Sequence, residues 1–506
     1  MKKHKIMLAV IGLVASSPVF AAMTFQQFMD QQLSPLKGKT NFGVVIMSAQ
    51  DGHVIYAANP NLPLVPASNE KILTTVTALA ILGADFQFTT TLAKSGGDLV
   101  IIGDGDPGFG DPSLCETRPV TDIFDEWAKA LSATGIKEIS GKLILDDTIF
   151  DRQFVHPNWP ADQVNRWYTA PVAGLNFNDN CLDLFVQYDT DKKPHLLTSP
   201  ATQFFVIEPQ WIPAKGTSTT IWPIWESPQK LKAKIRLGSR GTGPVNITVN
   251  DPPLYFAAVC KERLQANGIT IKGPIAFQRI RKSDGSFPDN LTIIARHKTP
   301  IMEAVTRANT NSQNFFAECI FKRLGYQSAK THASFSAGTW TTGQLAVKEF
   351  LQDRLKVSLD NIFIDDGSGL SKNNRVSAEI IAKLLYFAQQ QLWGERFRSS
   401  LAVAGGKDGT LRKRMRRTAA AGRVYAKTGY IAGSSALSGY ILDNENKPKI
   451  IFSMIFNFPG ASGKLWQIKS IEDKICIVLA QLLANQPITT PKNTEPEIYT
   501  PGQTEE

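Results

Sequence analysis

The chain reads as an α+β fold, an antiparallel sheet flanked by helices and split by a long β-rich insertion. Three observations carry that reading. Ile72, Leu73, Val76, Leu79 and Ala80 recur at helical spacing directly after a hairpin. From about 86 onward the texture changes to short strands punctuated by Pro and Gly. From about 300 helices return, and the chain closes with strands and a long amphipathic helix.

The start of the chain bears Lys2, Lys3 and Lys5, an apolar stretch over 6–15, and Val19-Phe20-Ala21. That is the layout of a cleavable export signal ending at Ala21, too short to span a bilayer. With 506 residues the chain exceeds one ordinary domain. The formal charge of +10 falls to +7 (10 − 3) once the three signal lysines are gone. This basic balance suits an anionic envelope surface. The expected location is periplasmic, with at most peripheral membrane association and no nucleic-acid partner. Five scattered cysteines leave at least one unpaired, and their pairing is open. The six histidines form no metal-ligand spacing, so no metal or cofactor is expected.

In order, 25–33 reads as a helix, and 42–47 and 54–56 as strands about the turn Asp51-Gly52. The helix after Ser68 stops at Gly83. Gly103-Asp104-Gly105-Asp106-Pro107-Gly108 matches a phosphate-loop pattern, but Pro107 and two aspartates would repel phosphate, so it is read as a turn. A helix is expected over 122–133 with Thr121 as its N-cap, and a strand over 143–145 running into Asp146-Asp147. A short helix is expected over 260–266. Pro300 fits a first helical position. Further helices are expected at 313–324, 342–355, 377–389 and 465–483, and strands at 424–427, 436–442 and 450–457. The run Arg412-Lys413-Arg414-Met415-Arg416-Arg417 reads as a solvated face. The domain plan is a signal at 1–21, a main domain at 22–85 and 290–486, an inserted domain at 86–170 and 268–289, a nested β-rich domain at 171–267, and a disordered tail at 487–506.

The chemistry concentrates at three places. Ser68 and Lys71 lie one turn apart on one helix face, near an N-terminus rich in free N–H groups. Ser312-Gln313-Asn314 occupies a turn between two helices, and Lys427-Thr428-Gly429 a strand. Each has an ordinary alternative. Ser68 could be a helix cap, Ser312 and Asn314 turn formers, and Lys427 an edge-strand guard. Together and in this order they match the S-x-x-K, S-D-N and K-T-G set of penicillin-binding proteins and class A β-lactamases, with Gln313 in place of the central Asp.

Beyond these motifs the chain resembles the D-alanyl-D-alanine carboxypeptidase/endopeptidase family, the class C type 4 low-molecular-mass penicillin-binding proteins. The resemblance covers most of the chain after the signal. It runs through Gly105-Asp106-Pro107, Asp146-Asp147-Thr148-Ile149-Phe150, Asn180-Cys181, Asp366-Gly367-Ser368-Gly369-Leu370-Ser371 and Asp408-Gly409-Thr410-Leu411. It implies a penicillin-recognising serine transpeptidase/β-lactamase-like domain split by nested inserts. The activity it implies is a serine DD-peptidase acting on peptidoglycan peptides and acylated by β-lactams. Ser68 would be the nucleophile and Lys71 its base, kept neutral by burial and by Lys427. Ser312 would relay the proton, Asn314 would hold the substrate amide, and Lys427 and Thr428 the terminal carboxylate. Gly429 would admit the substrate close to the strand, and the backbone N–H groups of Ser68 and Tyr430 would form the oxyanion hole. Asp146, or its neighbour Asp147, would meet the ammonium of the diaminopimelic side chain. Lys372 stands where an arginine clamp is expected, and lysine lacks that bidentate geometry. A β-lactamase is the alternative from the same chemistry, disfavoured by the lack of a clear Glu-x-x-x-Asn motif and by the large insert. A non-catalytic envelope-binding protein on the same scaffold is the third reading.

Overall fold

The computed structural model describes residues 23–282, 284–329, 337–459 and 465–488. The expected signal at 1–21 and the expected tail from 489 onward lie outside the described residues.

The strand Asn41–Ser48 carries an almost unbroken apolar run because both of its faces are covered. Val44 and Ile46 pack into one cluster, Val45 and Met47 into another, as the two-residue period requires. It belongs to a six-stranded antiparallel sheet in the order Ala402–Val403, Val424–Ile431, Ser434–Leu442, Pro448–Asn457, Asn41–Ser48, Val54–Ala58. Helices Phe25–Leu33 and Leu465–Leu483 cover the back face. Ile468, Ile475, Val478 and Leu479 of the long helix are buried there, whereas Leu482 is exposed. Helices Glu70–Ile81, Ile301–Thr310, Asn314–Ala329, Trp340–Leu355 and Ala378–Gln389 contribute to the core on the front face.

The insertion builds a second, five-stranded sheet in the order Ile275–Phe277, Leu143–Asp146, Asp98–Ile102, Gln87–Ser95, Thr292–Pro300. Helices Asp122–Ala133 and Pro252–Ala266 share its core, with Phe124 and Phe256 edge to face at 5.1 Å. Two three-stranded sheets follow, one of Cys181–Tyr188, Pro194–Ser199 and Thr242–Thr248, the other of Val206–Pro213, Thr220–Ser227 and Lys230–Leu237.

Several expectations need correction. The main domain does not resume at 290, because Thr292–Pro300 pairs antiparallel with Gln87–Ser95 and so completes the inserted sheet. The short helix at 260–266 is the end of a fifteen-residue helix, Pro252–Ala266, which packs on the inserted sheet's core rather than on the nested strands alone. Thr121 holds the N-cap position without making a side-chain cap bond. Pro300 ends a strand and caps the next helix, which starts at Ile301. The basic run is not all solvated, since Arg414 is drawn in to Glu472 at 2.9 Å and Asp473 at 2.7 Å. All five cysteines are buried free thiols.

Candidate active site

Ser68 lies in a single 3₁₀ turn, Ala67–Asn69, immediately before the helix Glu70–Ile81. Neither the turn nor the helix has a side-chain cap bond, so the capping alternative for Ser68 fails. Ala67 and Ser312 both hold positive φ, +49° and +61°, which non-glycine residues adopt only where the surroundings enforce it. One lies directly before the first serine, the other is the second serine itself.

The three motifs converge. Lys71 Nζ donates to Ser68 Oγ at 3.0 Å, to Asn314 Oδ1 at 2.7 Å and to the Ser368 carbonyl at 2.8 Å. Lys427 Nζ donates to Ser312 Oγ at 2.8 Å and to the Thr428 carbonyl at 2.8 Å. The Asn69 side chain ties the 3₁₀ turn to the strand Val424–Ile431 by donating to the Lys427 carbonyl at 3.1 Å. A β-carbon at Gly429 would lie 2.7 Å from the Pro66 carbonyl oxygen. Glycine there lets the turn bearing Ser68 settle against the strand, with Tyr430 next along it. Thr428 Oγ1 donates to Thr410 Oγ1 at 2.8 Å.

Both lysines are buried. Burial brings the Lys71 amine down to about 7, against the opposing pull of Glu318, Asp366 and Glu70. Burial and the neighbouring Lys71 push Lys427 well below its ordinary value. Glu70 is raised well above the carboxylate range by burial, and neither of its oxygens has a hydrogen-bond partner.

The remaining expected substrate-binding side chains have the following surroundings. Asp146 is not free for a ligand. Its carboxylate accepts from Thr148 N at 3.1 Å, Thr148 Oγ1 at 2.6 Å, Ile280 N at 2.8 Å and Arg281 N at 2.7 Å. Asp147 pairs with Arg152 at 2.8 Å. Asn314 is engaged at both ends of its amide, its Oδ1 accepting from Lys71 at 2.7 Å and its Nδ2 donating to the Tyr168 carbonyl at 2.8 Å. Lys372 lies on the rim of a cavity of about 600 Å³ lined also by Lys39, Arg375, Asn41, Asn457 and Gly433. Arg375 Nη1 donates to the carbonyls of Lys372, Asn373 and Asn374.

Sequence reasoning missed Glu318. One oxygen accepts from Ser368 N at 2.7 Å, and the other from Gly367 N at 3.1 Å and Trp340 Nε1 at 2.8 Å. It therefore fixes the turn whose Ser368 carbonyl receives Lys71. Burial and Asp366 raise it to about 7 against those three donors. The available signal was a lone acid among Phe315, Phe316, Ile320 and Phe321, one helical turn beyond Asn314. Asp366 plays a similar part, taking Gly369 N at 2.8 Å and Ser371 N at 2.7 Å.

A helix-flanked antiparallel sheet carrying paired Ser–Lys contacts on a helix start, an inter-helix turn and a strand defines a penicillin-recognising serine hydrolase. Residues 26–478 match the D-Ala-D-Ala carboxypeptidase 3 (S13) family, and the chain belongs to it as a serine peptidase. The D-alanyl-D-alanine carboxypeptidase of Actinomadura sp. (strain R39) is 30% identical over 473 residues, covering 88% of this chain and 82% of that protein. The D-alanyl-D-alanine carboxypeptidase DacB of Haemophilus influenzae is 24% identical, covering 90% and 94%. The crystal structure of penicillin binding protein 4 from Haemophilus influenzae superposes with a TM-score of 0.70 at 22% identity, over 88% of this chain and 98% of that one, and so shares the fold.

Proposed function

We propose that the protein removes the terminal D-alanine from peptidoglycan stem peptides and cleaves D-alanine cross-links, through an acyl-enzyme on Ser68. The carrying observation is the hydrogen-bond set of Lys71. A neutral amine has two N–H bonds and one lone pair. Directed at Asn314 Oδ1 and the Ser368 carbonyl, the two N–H bonds leave the lone pair for the Ser68 hydroxyl. Ser68 Oγ attacks the carbonyl carbon while Lys71 takes its proton. The N–H groups of Ser68 and Tyr430 receive the developing oxyanion, worth about 3 kcal/mol per donor in comparable sites. As the C–N bond breaks, the Ser312 hydroxyl, held by Lys427, gives its proton to the departing amine and takes up the one that Lys71 received from Ser68, which leaves Lys71 neutral again. Lys427 and Thr428 meet the substrate's terminal carboxylate, and Lys372 the far end of the stem peptide. Water then hydrolyses the ester. Free D-alanine or a cross-linked peptide serves equally as leaving group, which is why one site supports both activities. β-Lactams would acylate Ser68 in the same way.

The inferred setting is the envelope, reached through the export signal at 1–21. The proposed units are a catalytic one from 23–85 and 301–486, and an insertion between them carrying the nested strands 181–248. The test is incubation with pentapeptide and cross-linked muropeptides followed by mass analysis, alongside labelling with a fluorescent penicillin. Loss of one alanine or of the cross-link is expected, together with a stable label, and Ser68→Ala abolishes both. Rapid penicillin turnover without peptide cleavage would make it a β-lactamase. No label would make it a binding protein.

A further inference from the structure

We propose that the outer face of the sheet Val206–Pro213, Thr220–Ser227 and Lys230–Leu237 docks the protein onto an anionic phospholipid surface. The central strand, Lys230–Leu237, alternates strictly. Leu231, Ala233 and Ile235 are fully buried on the inner face, and Lys230, Lys232, Lys234 and Arg236 stand on the outer one. Cations at every second residue are spaced by about 7 Å and repel one another. Two are neutralised within the sheet, Lys230 by Glu208 and Glu226 at 2.9 and 3.1 Å, and Lys232 by Glu226 at 2.5 Å. Lys234 and Arg236 make no ion pair among the described residues.

The flanking strands add an apolar border. Trp222 is paired with Lys234 and Ile224 with Lys232 on one side, Ile212 with Arg236 and Val206 with Lys230 on the other. These four side chains are 46–59% exposed. Cations in the middle with a tryptophan and branched aliphatics beside them match the chemistry of the headgroup layer, where phosphates pair with Lys and Arg and apolar side chains reach the acyl boundary. A hydrated glycan–peptide mesh would meet the charges but leave the apolar border wet. Among the described residues no helix is long and apolar enough to cross a membrane.

The test is co-sedimentation of the purified full chain with vesicles of phosphatidylglycerol and phosphatidylethanolamine, and with phosphatidylcholine vesicles. Binding is expected only to the anionic vesicles, reversed by high salt. The double variant Lys234→Glu/Arg236→Glu should bind more than about tenfold more weakly, and Trp222→Ser should bind less at every salt concentration. Penicillin acylation should be unchanged in both, which shows that they fold. Absence of vesicle binding by the parent, equal binding by the double variant, or charge-dependent binding to purified peptidoglycan but not to vesicles would each overturn the proposal.

Discussion

Lys71 is a base only when it has lost its proton, and its amine sits at about 7 because burial disfavours the charged form. The acylation rate with a β-lactam should therefore rise with pH through about 7 and level off above it. A stopped-flow pH profile checks this, and a rate independent of pH between 5 and 9 would remove Lys71 from the role. Glu318 acts on the same amine from behind. Glu318→Gln puts an NH₂ group against an N–H donor, Ser368 N on one side or Gly367 N and Trp340 Nε1 on the other, and frees the turn that receives Lys71. The expected loss is about 10–100-fold in acylation, about 1–3 kcal/mol for one mismatched buried donor. Where Glu318 is ionised, removing its charge also makes the Lys71 proton easier to lose, so the acid limb should move to lower pH. A variant that is merely less stable would keep the limb in place. Ser68, Lys71, Ser312 and Lys427 were legible because three spaced motifs point to one chemistry. Glu318 was not, because its work is done through backbone N–H groups that no side-chain pattern records.

At the scale of the element, the contact that matters is the 3₁₀ turn Ala67–Asn69 lying on the strand Val424–Ile431. Gly429→Ala would place a methyl 2.7 Å from a backbone carbonyl and 3.0 Å from Asn69 Nδ2, neither of which can yield without lifting the turn. Acylation by penicillin should fall at least tenfold while denaturant unfolding shows a loss of about 1–3 kcal/mol. Unchanged acylation would mean that the turn moves freely. Legibility here followed the periodic signal. Asp122–Ala133 was readable to the residue, since Ile123, Trp127 and Leu131 form a buried stripe against a wet opposite face. Pro252–Ala266 was seen only at its end, because Tyr255, Phe256, Ala257, Val259 and Cys260 are buried around most of its circumference and leave no stripe to detect. The pairing of Thr292–Pro300 with Gln87–Ser95 is a long-range choice that the local sequence does not state.

At the scale of the molecule, the insertion is held to the catalytic unit by a shared apolar core, in which Phe150, Trp159 and Val172 pack with residues of the catalytic helices, and by buried polar contacts. Arg307, on the helix before Ser312, meets Asp111 of the insertion at 2.7 Å through Nη2 and 3.2 Å through Nε, while its Nη1 donates to Asn311 at 3.2 Å. Lys322 meets Asp151 at 2.7 Å, Trp159 donates to Asp366 at 2.9 Å, and the Tyr168 carbonyl receives Asn314. The insertion therefore walls the site from behind and helps aim its residues. Asp111→Ala tests this. It strips a buried guanidinium of its principal partner, leaving Asp179 at 3.7 Å as the nearest acid. Loss of one member of a buried pair costs about 3–5 kcal/mol, far more than an exposed pair would. The same loss loosens Asn311 and the left-handed Ser312 beside it, so the hydrolysis of D-Ala-D-Ala peptides should drop along with stability, even at temperatures where the variant is fully folded. Urea unfolding paired with single-turnover kinetics separates the two effects. A variant as stable as the parent and equally active would mean that the catalytic unit holds its own geometry and that the insertion is only carried.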